Sequence, residues 1–266
     1  MQNKIRPKKS LGQNFLKDEK VVDKIVQALE LDQNDQVLEI GPGTGVLTRM
    51  ILPWAKKLII IEKDNQLAGS LIEKFDSEKK IEIINADFLD LDFDNIVGNG
   101  RDLSLQRNLK IVGNLPYNQA KPILRKILEH APANAGVGPK LIVVMLQKEV
   151  AEKILDYEKG SILGLMTQFF AEIKPVINVS KEAFSPKPKV DSQVIKLIPR
   201  KDPLIDFKNQ KKFFDFIKKG FRHPRKKLLN NLENISEINL EKIGLKETVR
   251  PEELTLKQWL KLFKSS

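Results

Sequence analysis

Near the start of the chain, Val21, Val22, Ile25, Val26 and Leu29 follow Asp18 at helical spacing, and the pattern predicts an amphipathic helix. The rhythm then changes. Short, mainly apolar runs lie at 37–40, 58–62, 81–84, 111–114 and 141–146, mostly with helix-like stretches such as 65–75 between them. A strand buried on both faces shows no polar alternation. Such strands alternating with helices predict a parallel sheet covered on both sides. Two further runs, 173–179 and 190–198, flank a proline-rich loop and predict an antiparallel pair at a sheet edge. From Arg200 the pattern is helical throughout, at Phe213, Phe214 and Ile217, at Leu228, Leu229 and Leu232, and at Leu254 and Trp259 to Phe263. Pro199 and Pro203 mark the boundary. The chain therefore divides into a sheet domain, 1–199, and a small all-helical domain, 200–266.

Composition narrows the function. The 266 residues include 46 Lys and Arg against 35 Asp and Glu, a net charge of +11. Such a surplus favours a polyanionic partner, nucleic acid above all. The absence of cysteine excludes disulfides, thiolate-bound zinc, iron–sulfur clusters and a cysteine nucleophile. Two histidines leave little material for a metal site, and none is expected. No apolar run is long enough to span a bilayer, and the N-terminus lacks the apolar core of a secretory signal. A cytoplasmic location is expected, with no membrane partner. Residues 1–10 form a basic arm, with Lys4, Arg6, Lys8 and Lys9 around Pro7; it either touches phosphates or is a solvated tail. Nothing resembles a coiled-coil seam, and a monomer is expected.

The segment Val37–Thr48 places Gly41, Gly43 and Gly45 after a predicted strand and before a predicted helix. Glycines let the backbone turn tightly and approach a ligand. A dinucleotide turn has the form G-x-G-x-x-G, whose third glycine would fall at Val46. The form here is G-x-G-x-G, as in S-adenosylmethionine-dependent methyltransferases. Glu62 ends the second strand, where a carboxylate can accept both hydroxyls of a ribose. Asp87 follows the third strand and could accept from an adenine amino group, with Phe88 beside the ring. Singly, either acid could serve only to solubilise a strand end. Three such features in order, each at a strand's carboxyl end, point to a ligand site.

After the fourth strand comes Asn114-Leu115-Pro116-Tyr117. An exocyclic adenine amine is a poor nucleophile, because its lone pair is delocalised into the ring. Accepting both N–H bonds as positive charge develops assists the attack. An Asn oxygen and a carbonyl beside a stiffening proline suit that task, and Tyr117 offers a face for base stacking. The alternative is an ordinary strand-to-loop turn, which Asn and Pro also favour.

With these residues in place, the chain resembles the KsgA/RsmA family of small-subunit ribosomal RNA adenine N6,N6-dimethyltransferases. The opening S-L-G-Q-N-F-L (Ser10–Leu16), the glycine turn, Glu62, Asp87, N-L-P-Y-N (Asn114–Asn118), the loop E-A-F-S-P-K-P-K-V-D-S (Glu182–Ser192) and the closing R-P-E-E-L-T (Arg250–Thr255) follow the family's order. The resemblance implies a Rossmann-like seven-stranded α/β methyltransferase fold plus the small C-terminal helical domain. It implies S-adenosyl-L-methionine as cofactor. The activity it implies is dimethylation of two adjacent adenosines near the 3′ end of small-subunit ribosomal RNA, late in the biogenesis of the 30S subunit. By position, Gln13, Asn14, Leu16, Gly41, Gly43, Glu62, Asp87, Phe88 and Asn114 would hold the cofactor. Asn114 would also reach the target amine, Leu115 and Pro116 would supply backbone acceptors, and Tyr117 and Phe184 would sandwich the flipped base. The segment 118–122 departs from the family's N-I-S-T-P and puts Lys121 near the target loop. The polar segment 97–108 matches no motif.

Lys121, Lys187 and Lys189, with Arg222, Arg225, Lys226 and Lys227, suggest two basic faces gripping phosphates. Each alone reads as a solvated charge. Within the enzyme class the rival is an antibiotic-resistance-type methyltransferase of large-subunit RNA. From a different class comes a catalytically idle RNA-binding assembly factor or a transcription factor built on this fold. A dehydrogenase is disfavoured most, by Val46 and the lack of a hydride-handling histidine. The proline-rich loop and the R-P-E-E-L ending favour the small-subunit enzyme over the first. The intact 114–117 segment and Glu62 argue against the second.

Overall fold

The computed structural model describes residues 7–8, 11–96, 108–130, 138–232 and 235–265. Most of the basic arm and of the segment 97–108 lies outside them.

Helix α1 (Glu19–Ala28) starts where Asp18 accepts hydrogen bonds from Lys20 N (2.9 Å) and Val21 N (3.4 Å), satisfying two of the otherwise orphaned first-turn amides. The chain then alternates β2 (Gln36–Ile40), α2 (Val46–Ile51), β3 (Lys57–Glu62), α3 (Asn65–Lys74), β4 (Ile81–Asn85), α4 (Phe93–Ile96), β5 (Leu109–Asn114), α5 (Ala120–Glu129), β6 (Leu141–Gln147), α6 (Lys148–Leu155) and α7 (Ile162–Phe170). Strands β7 (Ala171–Val179) and β9 (Ser192–Pro199) complete a seven-stranded sheet of order β4-β3-β2-β5-β6-β9-β7.

Strands β2 to β6 run parallel, and β9 is antiparallel to both its neighbours. The expected antiparallel pair is present, but only β7 is an edge. Strand β9 lies between β6 and β7, because a hairpin partner can insert antiparallel beside a parallel strand. Alternate residues of one strand feed opposite cores. Leu38, Ile40, Ile59, Ile61 and Ile111 join one apolar cluster, while Val37, Leu58, Ile60 and Val112 join the other. That two-sided burial accounts for the mainly apolar runs of β2, β3, β5 and β6, whereas β4, at the sheet edge, is only partly buried.

In register, Ile40 lies opposite both Ile61 and Gly113, and Glu62 lies opposite Asn85. The carboxyl ends of β2 to β5 are thus level. The chain order reverses at β2, the place where open α/β sheets bind ligands. Beside this sheet, the short strands β1 (Phe15–Leu16) and β8 (Phe184–Ser185) pair antiparallel, Phe15 with Ser185 and Leu16 with Phe184.

Beyond Pro199 the described elements are helical: α8 (Phe207–Gly220), α9 (Glu237–Glu241) and α10 (Leu256–Lys264). Phe213, Ile217, Leu240 and Trp259 form their core, and Leu165 and Phe169 of α7 belong to the same cluster. Leu228–Asn230 is a single 3-10 turn rather than the expected helix. There Asn231 Nδ2 donates to Lys227 O (3.4 Å), so a side chain takes up a carbonyl that a helix would bond through its backbone. Leu228 and Leu232 are buried nonetheless.

Candidate active site

A cavity opens where the strand ends meet. The turn after β2 forms its floor, with left-handed backbone at Gly43 (φ 59°) and Gly45 (φ 78°). A Cβ on Gly43 would stand 3.0 Å from the Phe15 ring, and one on Gly45 2.8 Å from Leu71. Neither place admits a side chain without rearrangement.

Glu62, at the end of β3, is buried, and it accepts from Gly43 N (3.3 Å) and Asp64 N (2.8 Å). Burial pushes its carboxyl above the ordinary value against the pull of those amides. Asp64 caps α3, accepting from Gln66 N (2.9 Å), and also receives Gln13 Nε2 (3.0 Å) and Lys8 Nζ (2.9 Å). Behind the floor, Glu39 is fully buried and accepts from Thr48 Oγ1 at 2.7 Å. Burial raises its carboxyl to about 7, and Glu62 adds to the effect.

Asp87 follows β4. Leu89 N donates to its Oδ1 (3.0 Å), and Lys63 Nζ (2.5 Å) and Gln119 Nε2 (3.4 Å) meet its Oδ2. Burial opposes ionisation, but these donors hold its carboxyl below the usual range. The loop it begins is pinned by Lys126 of α5, whose ammonium donates to Phe88 O (3.0 Å) and Leu89 O (2.8 Å), and also to Leu91 O.

Asn114 ends β5. Its Nδ2 donates to Asn14 O at 3.0 Å, so Oδ1 is the acceptor end left for a ligand. In the next turn Pro116 O accepts from Gln119 N (2.9 Å). Tyr117 OH meets Ser192 Oγ at 2.6 Å, and burial raises the phenol above its usual value.

Gln13, Asn14, Leu16, Gly41, Gly43, Glu62, Asp87, Phe88, Asn114, Leu115, Pro116 and Tyr117 all line this one cavity. Phe184 does not. It is 2% exposed and belongs to the apolar cluster of Leu16, Val179 and Val194, because its pairing with Leu16 directs it into the core. The expectation that it faces Tyr117 across a base is not met in this arrangement. Lys121, Lys187 and Lys189 are exposed and lie outside the cavity lining, and Lys187 pairs with Glu182. Arg222, Arg225, Lys226 and Lys227 are exposed in the helical region, and Lys227 meets Glu247 at 3.2 Å. Sequence reasoning misses Lys63, Asp64, Gln119 and Lys126 as site residues. The available signal is charge or amide at a strand end or in a helix's first two turns, which resembles any solvated surface.

Among the described residues no cluster of His, Asp and Glu is gathered for a metal, and no helix is long and apolar enough to cross a membrane.

A sheet reversing at β2, with a glycine turn and a carboxylate on the next strand end, defines the Rossmann-like methyltransferase fold. Solved structures agree: the 23S ribosomal RNA methyltransferase ErmE has TM-score 0.75 and 30% identity, covering 94% of this chain and 98% of its own. A dimethyladenosine transferase from Plasmodium falciparum has TM-score 0.75 and 27% identity, covering 94% and 96%. Within that class the chain belongs to the ribosomal RNA adenine dimethylase family, whose model matches residues 4–266. Its curated relatives include proteins named ribosomal RNA small subunit methyltransferase A. The one from Nostoc sp. is 35% identical over 97% of both chains. The one from Levilactobacillus brevis is 38% identical over 96% of this chain and 88% of its own.

Proposed function

We propose that this enzyme uses S-adenosyl-L-methionine to dimethylate N6 of two adjacent adenosines near the 3′ end of small-subunit ribosomal RNA, on an immature 30S particle late in its assembly. The observation that carries the reading is the Asn114 carboxamide, held through Nδ2 by the Asn14 carbonyl in the cavity that also contains the glycine turn and Glu62.

The cavity's chemistry fits the donor. Gly43 leaves no room for a Cβ beneath it. Glu62 offers carboxylate oxygens to a ribose diol. Asp87 offers one to an adenine amine, beside the apolar walls of Phe88, Leu67 and Ile123. The acidic surroundings suit a cation. When bound, S-adenosylmethionine supplies an electrophilic methyl on a sulfonium.

The chain's own residues do the rest. A flipped adenine stacks on Tyr117, whose ring is anchored through its hydroxyl to Ser192. Asn114 Oδ1 and a backbone carbonyl accept the two amine hydrogens. Pro116 O is already engaged by Gln119 N, so Leu115 O is the better second acceptor. These oxygens face the nitrogen as it becomes positive, where their effect is largest. The methylated nitrogen then loses a proton to solvent, and no strong base is needed. Lys121, Lys187 and Lys189 on one side, and Arg222, Arg225, Lys226 and Lys227 on the other, supply phosphate contacts that position the RNA.

Similarity to ErmE supports a second substrate, large-subunit RNA, and one assay separates the two. Purified enzyme is incubated with labelled S-adenosylmethionine and either unmethylated 30S particles or protein-free large-subunit RNA. The product is analysed as N6,N6-dimethyladenosine by mass spectrometry. Label confined to 30S supports the proposal, and label confined to large-subunit RNA refutes it.

A further inference from the structure

Lys63 has no part in the mechanism above, yet it lines the donor cavity between Glu62 and Asp64. Its Nζ lies 2.5 Å from Asp87 Oδ2, with the Lys63 side chain 44% exposed and that of Asp87 13%. An ion pair between two exposed residues contributes little. Here the carboxylate is largely shielded, so the contact is less screened than a surface pair. Three donors from three segments converge on Asp87: Lys63 at the end of β3, the Leu89 amide in the loop after β4, and the Gln119 amide before α5. An ionised carboxylate has about four lone-pair sites. With three met by described residues, the group cannot turn freely, and one acceptor direction remains among them.

Resting on the donor-site reading above, we infer that Lys63 is a positioning residue for the methyl donor, its ammonium fixing the Asp87 carboxylate at the cavity rim so that the remaining lone pair meets the donor's exocyclic amine. The electrostatics agree. Burial alone would push the Asp87 carboxyl up; Lys63, the Leu89 amide and Gln119 bring it down. The same contact raises Lys63, with a smaller contribution from Asp90. Among the described residues, Asp90 acts on Lys63, the Lys126 ammonium sits on the Phe88 and Leu89 carbonyls of the loop that Asp87 begins, and Gln119 is neutral. An ionised carboxylate accepts from an amine more strongly than a neutral carboxyl does, so binding is tightest above the depressed carboxyl value and weakens as pH falls through it. Without the ammonium that value rises, and the fading begins at higher pH.

The test is calorimetric titration of S-adenosylhomocysteine into the full chain and into Lys63→Met, Lys63→Arg, Asp87→Asn and the Lys63→Met/Asp87→Asn double variant. Lys63→Met should weaken binding roughly tenfold, the usual worth of a charge-assisted bond, and Lys63→Arg should regain most of it. In the Asp87→Asn background the same lysine change should cost less than about twofold, because its partner is gone. The acid limb of the Lys63→Met binding profile should lie at higher pH than that of the parent. The melting temperature should fall by no more than about 2–4 °C, since the lysine end of the pair is 44% exposed. Unchanged or tighter binding by Lys63→Met, or full additivity in the cycle, overturns the inference while leaving the donor site standing. Failure of the parent chain to bind S-adenosylhomocysteine removes the donor site and the inference with it.

Discussion

Asp64→Ala is expected to loosen the N-terminal strap, residues 11–16, from the active site. Three attachments meet on this buried carboxylate. It caps α3 through Gln66 N at 2.9 Å, and losing such a cap costs about 1 kcal/mol. It holds Gln13 Nε2 at 3.0 Å, a bond to a charged group worth about 1.5 kcal/mol. It meets Lys8 at 2.9 Å, but Lys8 is 43% exposed, so that pair adds less than about 1 kcal/mol. The total is about 3 kcal/mol, of which roughly 2 tethers the strap. The strap carries Asn14, whose carbonyl orients the Asn114 amide. Methyl transfer should therefore fall up to about thirtyfold as the strap detaches. Urea unfolding gives the stability loss, hydrogen exchange at 11–16 reports the tether, and single-turnover methylation reads the consequence. Asp64→Asn keeps a capping oxygen and an acceptor for Gln13 but loses the charge, so it should retain more than half of both properties. If it is as damaging as alanine, or if Asp64→Ala leaves strap exchange and transfer unchanged, the coupling is wrong.

Asn114→Ala should abolish transfer while circular dichroism and melting remain close to the parent; robust turnover would refute the amine-acceptor role. Tyr117→Ala should weaken RNA engagement by about 1–3 kcal/mol, one stacking partner's worth, whereas Tyr117→Phe should lose only the anchor to Ser192, a difference readable in the KM of each variant. Glu39 is raised in the folded state from an ordinary 4.5 to about 7. The folded protein thus holds this proton more tightly than the unfolded chain, and stability should fall by up to about 3 kcal/mol as pH rises from 4.5 to 7, then level off. Glu39→Gln should erase that slope whatever its absolute stability, and an unaltered pH profile of unfolding would show that the carboxyl is not responsible.

Of the five parallel strands, β2, β3, β5 and β6 are readable in the sequence because burial on two faces leaves few polar interruptions, as in the run from Leu58 to Ile61 that ends at Glu62, whereas β4, at the sheet edge and only partly buried, is readable from Ile81, Ile83 and Ile84. The placement of the glycine turn, Glu62 and Asn114 is readable because each follows or ends a recognisable strand, and one cavity gathers them. The insertion of β9 between β6 and β7 is not, since residue pattern does not encode which neighbour a strand chooses. The two-residue pairing of Phe15 and Leu16 with Ser185 and Phe184 is too short to leave a period, and it is what buries Phe184. Lys63 and Lys126 escape notice because a lysine facing carbonyls or a carboxylate looks, in sequence, like any other lysine. Gln119 gains meaning only once folding sets it beside Asp87.

Helix α7 belongs to two neighbourhoods. It is coded within the sheet region, yet it lends Leu165 and Phe169 to the aromatic nest around Phe213 and Trp259. Cutting the chain after Pro199 would leave these two side chains wetted, and a fragment made that way should be sticky rather than well behaved. A grafted replacement for the tail would have to supply matching rings, so exchange of this tail between relatives is constrained by its fit against α7.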